Sequence, residues 1–252
     1  GRLTAVDSRR WIRFLLDILP KLDNIEYEKL TPVEQRMLQM FYITVWLKSA
    51  DRWDSEEVQD NLYALSVSPV MLAELIELLR YKYERIDFID EPVDLGFECP
   101  LDLHCTYTRD QLLVALDFMN PNSVREGVKW LPEKQVDVLF VTLNKSDKDY
   151  SPTTMYNDYS INEELFHWQS QSTTTDTGSV GQRYINHRKR GSKVLLFVRE
   201  FRTDMAGAAP YTFLGTVNYV KHNGSRPMNI TWKLDKPIPA KYLKKTNKLV
   251  VG

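Results

Sequence analysis

Apolar residues in the first ninety positions of the chain recur every three or four residues, which is the spacing of one face of an α-helix. The clearest case is residues 31–46, where Thr31 and Glu34 form a capping box around Pro32 and an apolar series follows. Similar stretches cover residues 11–19, 54–65 and 69–79. The sequence therefore predicts four helices that short loops join into a small bundle.

The pattern changes beyond residue 92. A second capping box, formed by Thr108 and Gln111, precedes a short helix, and apolar residues then alternate with polar ones or run continuously. Five such stretches predict strands at residues 136–143, 165–171, 193–201, 211–221 and 228–234. Asn223-Gly224, between the last two, predicts a hairpin. We therefore expect an α+β fold, with a helical domain at residues 1–94 and a small barrel or strongly bent sheet at residues 95–252.

The composition is typical of a globular protein, with 252 residues, 43% of them hydrophobic and 27% charged. No apolar run approaches the ~18 residues that a membrane span needs, and the first residues carry no signal-peptide pattern. The ten glycines form no phosphate-cradling loop, which excludes a P-loop or a dinucleotide-binding fingerprint in these residues. We expect a soluble, cytoplasmic protein that needs no cofactor and has no membrane partner.

The formal net charge of −1 conceals a steep gradient along the chain. Residues 1–98 hold 12 basic and 19 acidic residues, a net of −7, whereas residues 181–252 hold 15 basic and 3 acidic residues, a net of +12. Such an excess of positive charge indicates that the C-terminal part faces a polyanion, of which nucleic acid is the commonest. The alternative is a solvated, lysine-rich surface.

Residues that are typical of metal and catalytic sites form no recognisable motif. Cys99, His104 and Cys105 cluster, but a structural zinc site needs four ligands with close cysteine pairs, and the other histidines are scattered. Glu163 beside His167 does not have the spacing of a metalloprotease, and no serine lies in the elbow motif of a hydrolase. The sequence therefore predicts a binding module without a metal ion or a catalytic residue.

Residues 144–190 combine aromatic rings, amides and a carboxylate, which are the groups that hold a base extruded from a duplex. Rings would stack on the base while the carboxylate and the amide read its edge, and the predicted pocket is Tyr156, Asp158, Trp168, Gln169 and Tyr184. For Trp168, packing in the core is the alternative. The residues predicted to contact the DNA backbone are Lys145, Ser170, Arg183, His187, Arg188, Lys189 and Arg190.

Several longer stretches carry a resemblance to a known family. They are Arg125 to Val128, Leu131 to Lys134, Phe140 to Ser146, Tyr156 to Tyr159, Leu165 to Ser172, Gly181 to Ile185 and Leu195 to Glu200. Over roughly residues 95–240 the chain resembles the C-terminal domain, once of unknown function, of bacterial restriction proteins that combine a phospholipase-D nuclease with a helicase. The best-known members of that family are the SauUSI-like type IV restriction enzymes.

The resemblance implies an SRA-like module of the PUA-like barrel class, which recognises 5-methylcytosine or 5-hydroxymethylcytosine in double-stranded DNA by flipping the modified base. It also implies that residues 1–94 are a helical connector to helicase and nuclease domains of the same parent chain. The parent would be an ATP-dependent, modification-dependent restriction endonuclease that defends a bacterium against phage. The 252 residues would then be a binding fragment and not an enzyme.

Two other functions are open at this point. Because PUA-like barrels also serve RNA, the sheet domain is alternatively an RNA-binding module. The acidic helical part favours a third function, in which the chain is a protein-interaction domain that regulates a helicase and reads no base. Binding to methylated DNA, unmethylated DNA and RNA of one sequence separates the three.

Overall fold

The computed structural model describes residues 2–47, 55–144 and 157–246. The chain divides into two compact units, Gly1–Arg125 and Glu126–Gly252. Helices in the N-terminal part and a large sheet in the C-terminal part confirm the α+β class. The boundary predicted between residues 94 and 95 stays a prediction about independent folding, and in the structure residues 95–125 pack within the first unit.

Helices dominate the first unit. The α-helices are Arg9–Ile18 (α1), Pro32–Trp46 (α2), Ser55–Ser66 (α3), Pro69–Glu84 (α4) and Arg109–Ala115 (α5), and the strand Thr106–Tyr107 (β1) precedes α5. These confirm the predicted helices, although residue 54, the predicted start of α3, lies outside the described residues. Across the described ranges no single helix is both long and apolar enough to span a membrane, and Glu56–Ser66 with Pro69–Glu84, bent by 94°, passes that test only as a pair.

Both predicted capping boxes are confirmed. At the start of α2 the Thr31 hydroxyl accepts a hydrogen bond from the backbone N–H of Glu34 (3.3 Å), and the Glu34 carboxylate accepts one from the N–H of Thr31 (2.9 Å). Thr108 and Gln111 form the same two bonds at the start of α5 (3.2 and 2.8 Å). Each box satisfies two N–H groups that a helix start leaves without an intrahelical partner.

Long-range contacts hold residues 95–125 against the helices of the first unit. The buried carboxylate of Asp102 accepts a hydrogen bond from the Ser8 hydroxyl (2.7 Å) and forms an ion pair with Arg10 (3.0 Å). Arg36 on α2 forms an ion pair with Asp117, and α5 packs on α2. The first packing unit therefore extends beyond residue 92, where the sequence pattern changes.

The second unit contains a mixed sheet. Its strands are Val128–Leu131 (β2), Val136–Thr142 (β3), Tyr159–Ser160 (β4), Leu165–Gln169 (β5), Lys193–Arg199 (β6), Thr203–Asp204 (β7), Gly207–Ala208 (β8), Tyr211–Asn223 (β9) and Asn229–Leu234 (β10). Its helices are Ser179–Ile185 (α6), His187–Arg190 (α7) and Ala240–Thr246 (α8). The five predicted strands are confirmed as β3, β5, β6, β9 and β10, and the last two form the predicted hairpin.

The strands follow the order β2-β3-β6-β9-β10-β5-β4, while β7 and β8 pair separately. β3 and β6 are parallel, and all other neighbours in this order are antiparallel. Register shifts in β9 against β6 and against β10 are irregularities of the kind that bend a sheet. In the part of the chain that the structure describes, β2 and β4 do not pair with each other, so the sheet is open and no closed barrel is seen.

One face of the sheet carries a hydrophobic core. Phe166, Trp168 and Trp232 point into this core from β5 and β10, and Tyr184 on α6 packs against them. Because successive strand residues point to opposite faces, His167 lies on the other side of β5, where it is half-buried.

The ends of several segments point in the same direction along the sheet, at two levels. The parallel strands β3 and β6 begin level with Val217 of β9 and with Leu234 at the end of β10. β5 and β9 end, and β10 begins, farther along β9, because Asn229 pairs with both Gln169 and Asn223. β4 begins near this second level, since it runs antiparallel to β5. These segments carry most of the site residues predicted from the sequence.

Candidate nucleic-acid interface

Exposed cations lie on α7, near the end of β9 and in the turn that follows β9. The α7 turn carries three consecutive exposed cations, Arg188, Lys189 and Arg190. Lys221 near the end of β9 and Arg226 in the turn before β10 are also exposed. We call these five residues the basic end.

Hydrogen bonds to β9 and to the start of β6 hold the α7 turn in place. The buried His187 imidazole accepts a bond at Nε2 from the backbone N–H of Tyr219 (3.0 Å), and its Nδ1 donates to the carbonyl of Ser192 (3.2 Å). Arg188 donates to the carbonyl of Tyr219 (2.9 Å). Burial lowers the pKa of His187, which favours the neutral imidazole that these two bonds require. His187 therefore positions the neighbouring cations, and its predicted contact with the DNA backbone stays a prediction.

Arg183, also predicted to contact a phosphate, is held by a carboxylate. Its guanidinium donates two hydrogen bonds to Asp137 at the start of β3 (2.7 and 2.9 Å) and lies 4.4 Å from the centre of the Trp130 ring. Asp137 is fully buried, and burial raises the pKa of its carboxyl while the Arg183 guanidinium opposes that shift. Because Asp137 compensates the charge of Arg183, the basic end offers more accessible cations to a phosphate.

Two of the rings predicted to stack on a base are packed against each other in the core. Trp168 is 4% exposed, Tyr184 is fully buried, and their rings meet edge to face with centroids 5.4 Å apart. Trp232 lies 6.2 Å from both. This packing favours the core alternative for Trp168, and contact of either ring with a base stays a prediction. Tyr156, the third predicted ring, lies outside the described residues, as does Lys145.

Asp158, Gln169 and Ser170 meet where β4 begins and β5 ends. The buried Asp158 carboxylate accepts a hydrogen bond from the N–H of Gln169 (2.9 Å), and the Gln169 side-chain oxygen accepts one from the N–H of Asn157 (3.2 Å). The buried Ser170 hydroxyl accepts a bond from the N–H of Met228 (2.9 Å). The structure thus brings the predicted carboxylate and amide together, and their contacts with DNA stay predictions.

The polar face of the sheet carries an aromatic pair that was not among the site residues predicted from the sequence. Tyr159 on β4 and His167 on β5 are half-buried cross-strand partners, and their rings stack with centroids 4.8 Å apart and planes 13° from parallel. The sequence did contain a signal for His167, because it alternates with the apolar Phe166 and Trp168 and must face the other side of a strand. Tyr159 had no such signal, since β4 has only two residues.

The opposite end of the sheet, where β3 and β6 finish, holds a cavity of about 320 Å³. Glu200 and Asp204 are two acidic residues in its lining. Arg199, also in the lining, donates a hydrogen bond to the Thr142 hydroxyl (2.9 Å). The carboxylates make this cavity a less favourable site for a polyanion than the basic end.

The cysteines and the acidic residues do not assemble into a metal centre in the described part of the chain, where no group of three or more His, Cys, Asp or Glu side chains is placed to hold an ion. Cys99 and Cys105 are buried free thiols. Burial raises the pKa of Cys99 to about 12. Such a thiol is protonated at neutral pH, and a thiol is a much weaker nucleophile than a thiolate.

Comparison with known proteins gives one family. The model of a domain of unknown function, DUF3427, matches residues 101–245, which is more than half of the chain. No curated protein matches the sequence. The matched residues include the basic end, the junction of Asp158 with Gln169, and the pair of Tyr159 and His167.

Proposed function

The chain belongs to the DUF3427 family, and we propose that its second unit binds double-stranded DNA and recognises modified cytosine by base flipping. The unit would be the target reader of a modification-dependent type IV restriction enzyme, related to SRA-like modules of the PUA-like barrel class. The sequence resemblance supports this kinship and the choice of substrate. The basic end supports the position of the DNA-binding surface.

The observation that carries the proposal is a fixed cluster of exposed cations. Arg188, Lys189 and Arg190 follow one another on a turn whose backbone is anchored by the buried His187. Cations that are held side by side repel each other in the free protein, and a row of phosphates opposite them relieves that repulsion. Neutralised phosphates also release counterions from DNA, which favours binding at low salt.

Groups that are suited to reading a base lie where β4 begins and β5 ends. Cytosine presents an N4 amino donor together with N3 and O2 acceptors, so a carboxylate and an amide are matched to its edge. Asp158 and Gln169 supply these two groups within one hydrogen-bonded junction. A 5-methyl group needs only a small apolar recess, so we expect it to contribute a modest ~1–3 kcal/mol to binding.

The proposal is tested by measuring the affinity of the 252-residue chain for duplexes of one sequence that contain cytosine, 5-methylcytosine or 5-hydroxymethylcytosine, and for the corresponding RNA. We expect a modified duplex to bind about tenfold more tightly than the unmodified one. Equal affinity for the three duplexes contradicts recognition of the modification. Tighter binding of RNA favours the RNA-binding alternative, and absence of all nucleic-acid binding favours the protein-interaction domain.

Charge reversal at the basic end tests where the DNA binds. In the double variant Arg188→Glu and Arg190→Glu, we expect the slope of log affinity against log salt to fall by about two units, because two phosphate contacts are lost. The control reverses Arg202 and Lys244, two exposed cations outside the basic end, and changes the net charge by the same amount. Equal weakening by the two double variants would show a general charge effect and no local surface.

A further inference from the structure

Four residues form a row across the polar face of the mixed sheet in the second unit. Tyr159 pairs with His167, His167 with Thr231, and Thr231 with Lys221, on β4, β5, β10 and β9. Directly paired strand residues share a face, so this row lies opposite the buried Trp168. Two aromatic rings and a cation therefore lie in one row on the face of the sheet opposite the hydrophobic core.

The ring pair in this row is held in a defined orientation. The 4.8 Å between the ring centroids equals the ordinary spacing of neighbouring strands, about 4.8 Å, so the two rings stand side by side on their strands. The Nδ1 atom of His167 is bonded to the carbonyl oxygen of Asn157 (2.8 Å), which fixes the rotation of the imidazole. A preorganised ring loses little conformational freedom when a further ring stacks on it.

Thr231 is the half-buried neighbour of the ring pair in this row. It is the smallest side chain of the row, and it separates His167 from Lys221 by two strand spacings, about 10 Å. A flat heterocycle that lies over Thr231 can stack on the imidazole, while Lys221 stands on its far side. Gln169 and Asn229 form the next cross-strand pair on this face toward the basic end, so amide groups border the same space.

We propose that this row binds one unpaired base of a nucleic acid, stacked on His167 above Thr231, with Tyr159 supporting the imidazole and Lys221 contacting a phosphate. The inference rests on the proposed function and gives it a stacking surface that does not depend on the packed rings of Trp168 and Tyr184. Because every base has an aromatic face, stacking here accepts any base, and selection for cytosine belongs to polar groups such as Gln169.

The test compares two unmodified duplexes of one sequence, one fully paired and one with a single unpaired cytosine. The wild-type chain should bind the duplex with the unpaired base more tightly. Because stacking of a base on one ring contributes substantially to affinity, His167→Ala should weaken binding of the duplex with the unpaired base about 5- to 100-fold. Tyr159→Ala should also weaken this binding. Both variants should bind the paired duplex as the wild type does, since the cations of α7 are untouched. Tyr159→Phe, which keeps the ring, is the matched control and should retain the preference.

The outcomes separate this inference from the proposed function. If His167→Ala and Tyr159→Ala melt at the wild-type temperature and keep the preference for the unpaired base, the stacking row is wrong and DNA binding at the basic end stands. If the wild-type chain binds neither these duplexes nor a modified one, both fail. Should His167→Ala lower the melting temperature, His167→Leu, which keeps the side-chain volume without an aromatic ring, replaces it in the comparison.

Discussion

Asp158, Ser170 and His187 have side chains whose chemistry suits contact with DNA, and in the structure each is buried and bonded to the backbone of a neighbouring segment. A buried polar group that loses its partner costs about 1–3 kcal/mol, so such residues hold local geometry firmly. We therefore expect substitutions of Ser170 and His187 to act through the positions of the exposed groups beside them, and substitution of Asp158 to act both in this way and through its proposed contact with the base.

Trp168 is the residue at which core packing and base stacking give opposite results. Because its ring contacts Tyr184 and Trp232 in the core, Trp168→Ala should lower the free energy of unfolding by about 3–5 kcal/mol and weaken binding to modified and unmodified duplexes together. Thermal unfolding and both affinities are measured on the same preparation. A variant of wild-type stability that loses only the preference for the modified base would place Trp168 in contact with that base.

Tyr184→Phe is the matched control for this substitution. The Tyr184 hydroxyl is buried and has no hydrogen-bond partner within the described ranges, so removing it should leave stability unchanged or slightly increased. The aromatic ring, which packs on Trp168, is kept. DNA binding should therefore be unaffected, in contrast to the result expected for Trp168→Ala.

At the scale of elements, α6 and α7 connect the core to the basic end. α6 can lie where it does because residue 181 is glycine: a Cβ at Gly181 would stand 2.0 Å from the carbonyl oxygen of Thr175 and 2.9 Å from the Met228 sulfur. The same helix places Tyr184 in the core and Arg183 against Asp137. α7 follows directly, so the position of its cations depends on how α6 packs.

His187, whose hydrogen bonds hold α7 in place, makes the free energy of unfolding depend on pH. Burial lowers the pKa of His187 in the folded chain below the ordinary value of 6.5, so below about pH 6.5 the unfolded chain takes up a proton that the folded chain resists. Stability should therefore fall as the pH drops from 7.5 to 5.5, and His187→Gln should show a smaller fall. Urea unfolding at the two pH values measures this, with His222→Gln as a control at a partly exposed histidine. An identical pH dependence in His187→Gln and the wild type would contradict the assignment.

At the scale of the whole molecule, the position where the sequence pattern changes differs from the boundary between the two compact units. The pattern changes near residue 92, whereas the first compact unit continues to Arg125. The contacts of Asp102 with Ser8 and Arg10, and the packing of α5 on α2, account for the difference. Residues 95–125 are therefore part of the helical core in the structure.

Two fragments test this division. Residues 1–125 should unfold cooperatively, whereas residues 1–94 lack α5 and the buried partner of Ser8 and should melt at least ~10 °C lower or without cooperativity. Thermal circular dichroism of both fragments measures the difference. If instead residues 1–94 melt like the longer fragment and residues 95–252 fold alone, the boundary predicted from the sequence is the correct one.

The sequence by itself determined the local features of this protein. The capping boxes at Thr31 and Thr108, the helical and strand periods and the hairpin at Asn223-Gly224 all depend on residues a few positions apart, which interact in any compact arrangement of the chain. The charge gradient is likewise a property of composition along the chain. For this reason the α+β class, the main elements and the basic character of α7 could be predicted.

Only the tertiary structure decided which of these features meet. Asp137 pairs with Arg183 across 46 positions, and nothing local marks them as partners. Alternation along β5 separates Trp168 from His167, yet the packing of α6 and β10 decides that Trp168 is buried and that His167 lies half-buried on the opposite face beside Tyr159. The order of the strands and the open sheet follow from pairing between segments that are distant in the sequence. Local patterns do not specify such pairs, because their free energy of pairing depends on contacts that form only when the whole unit folds.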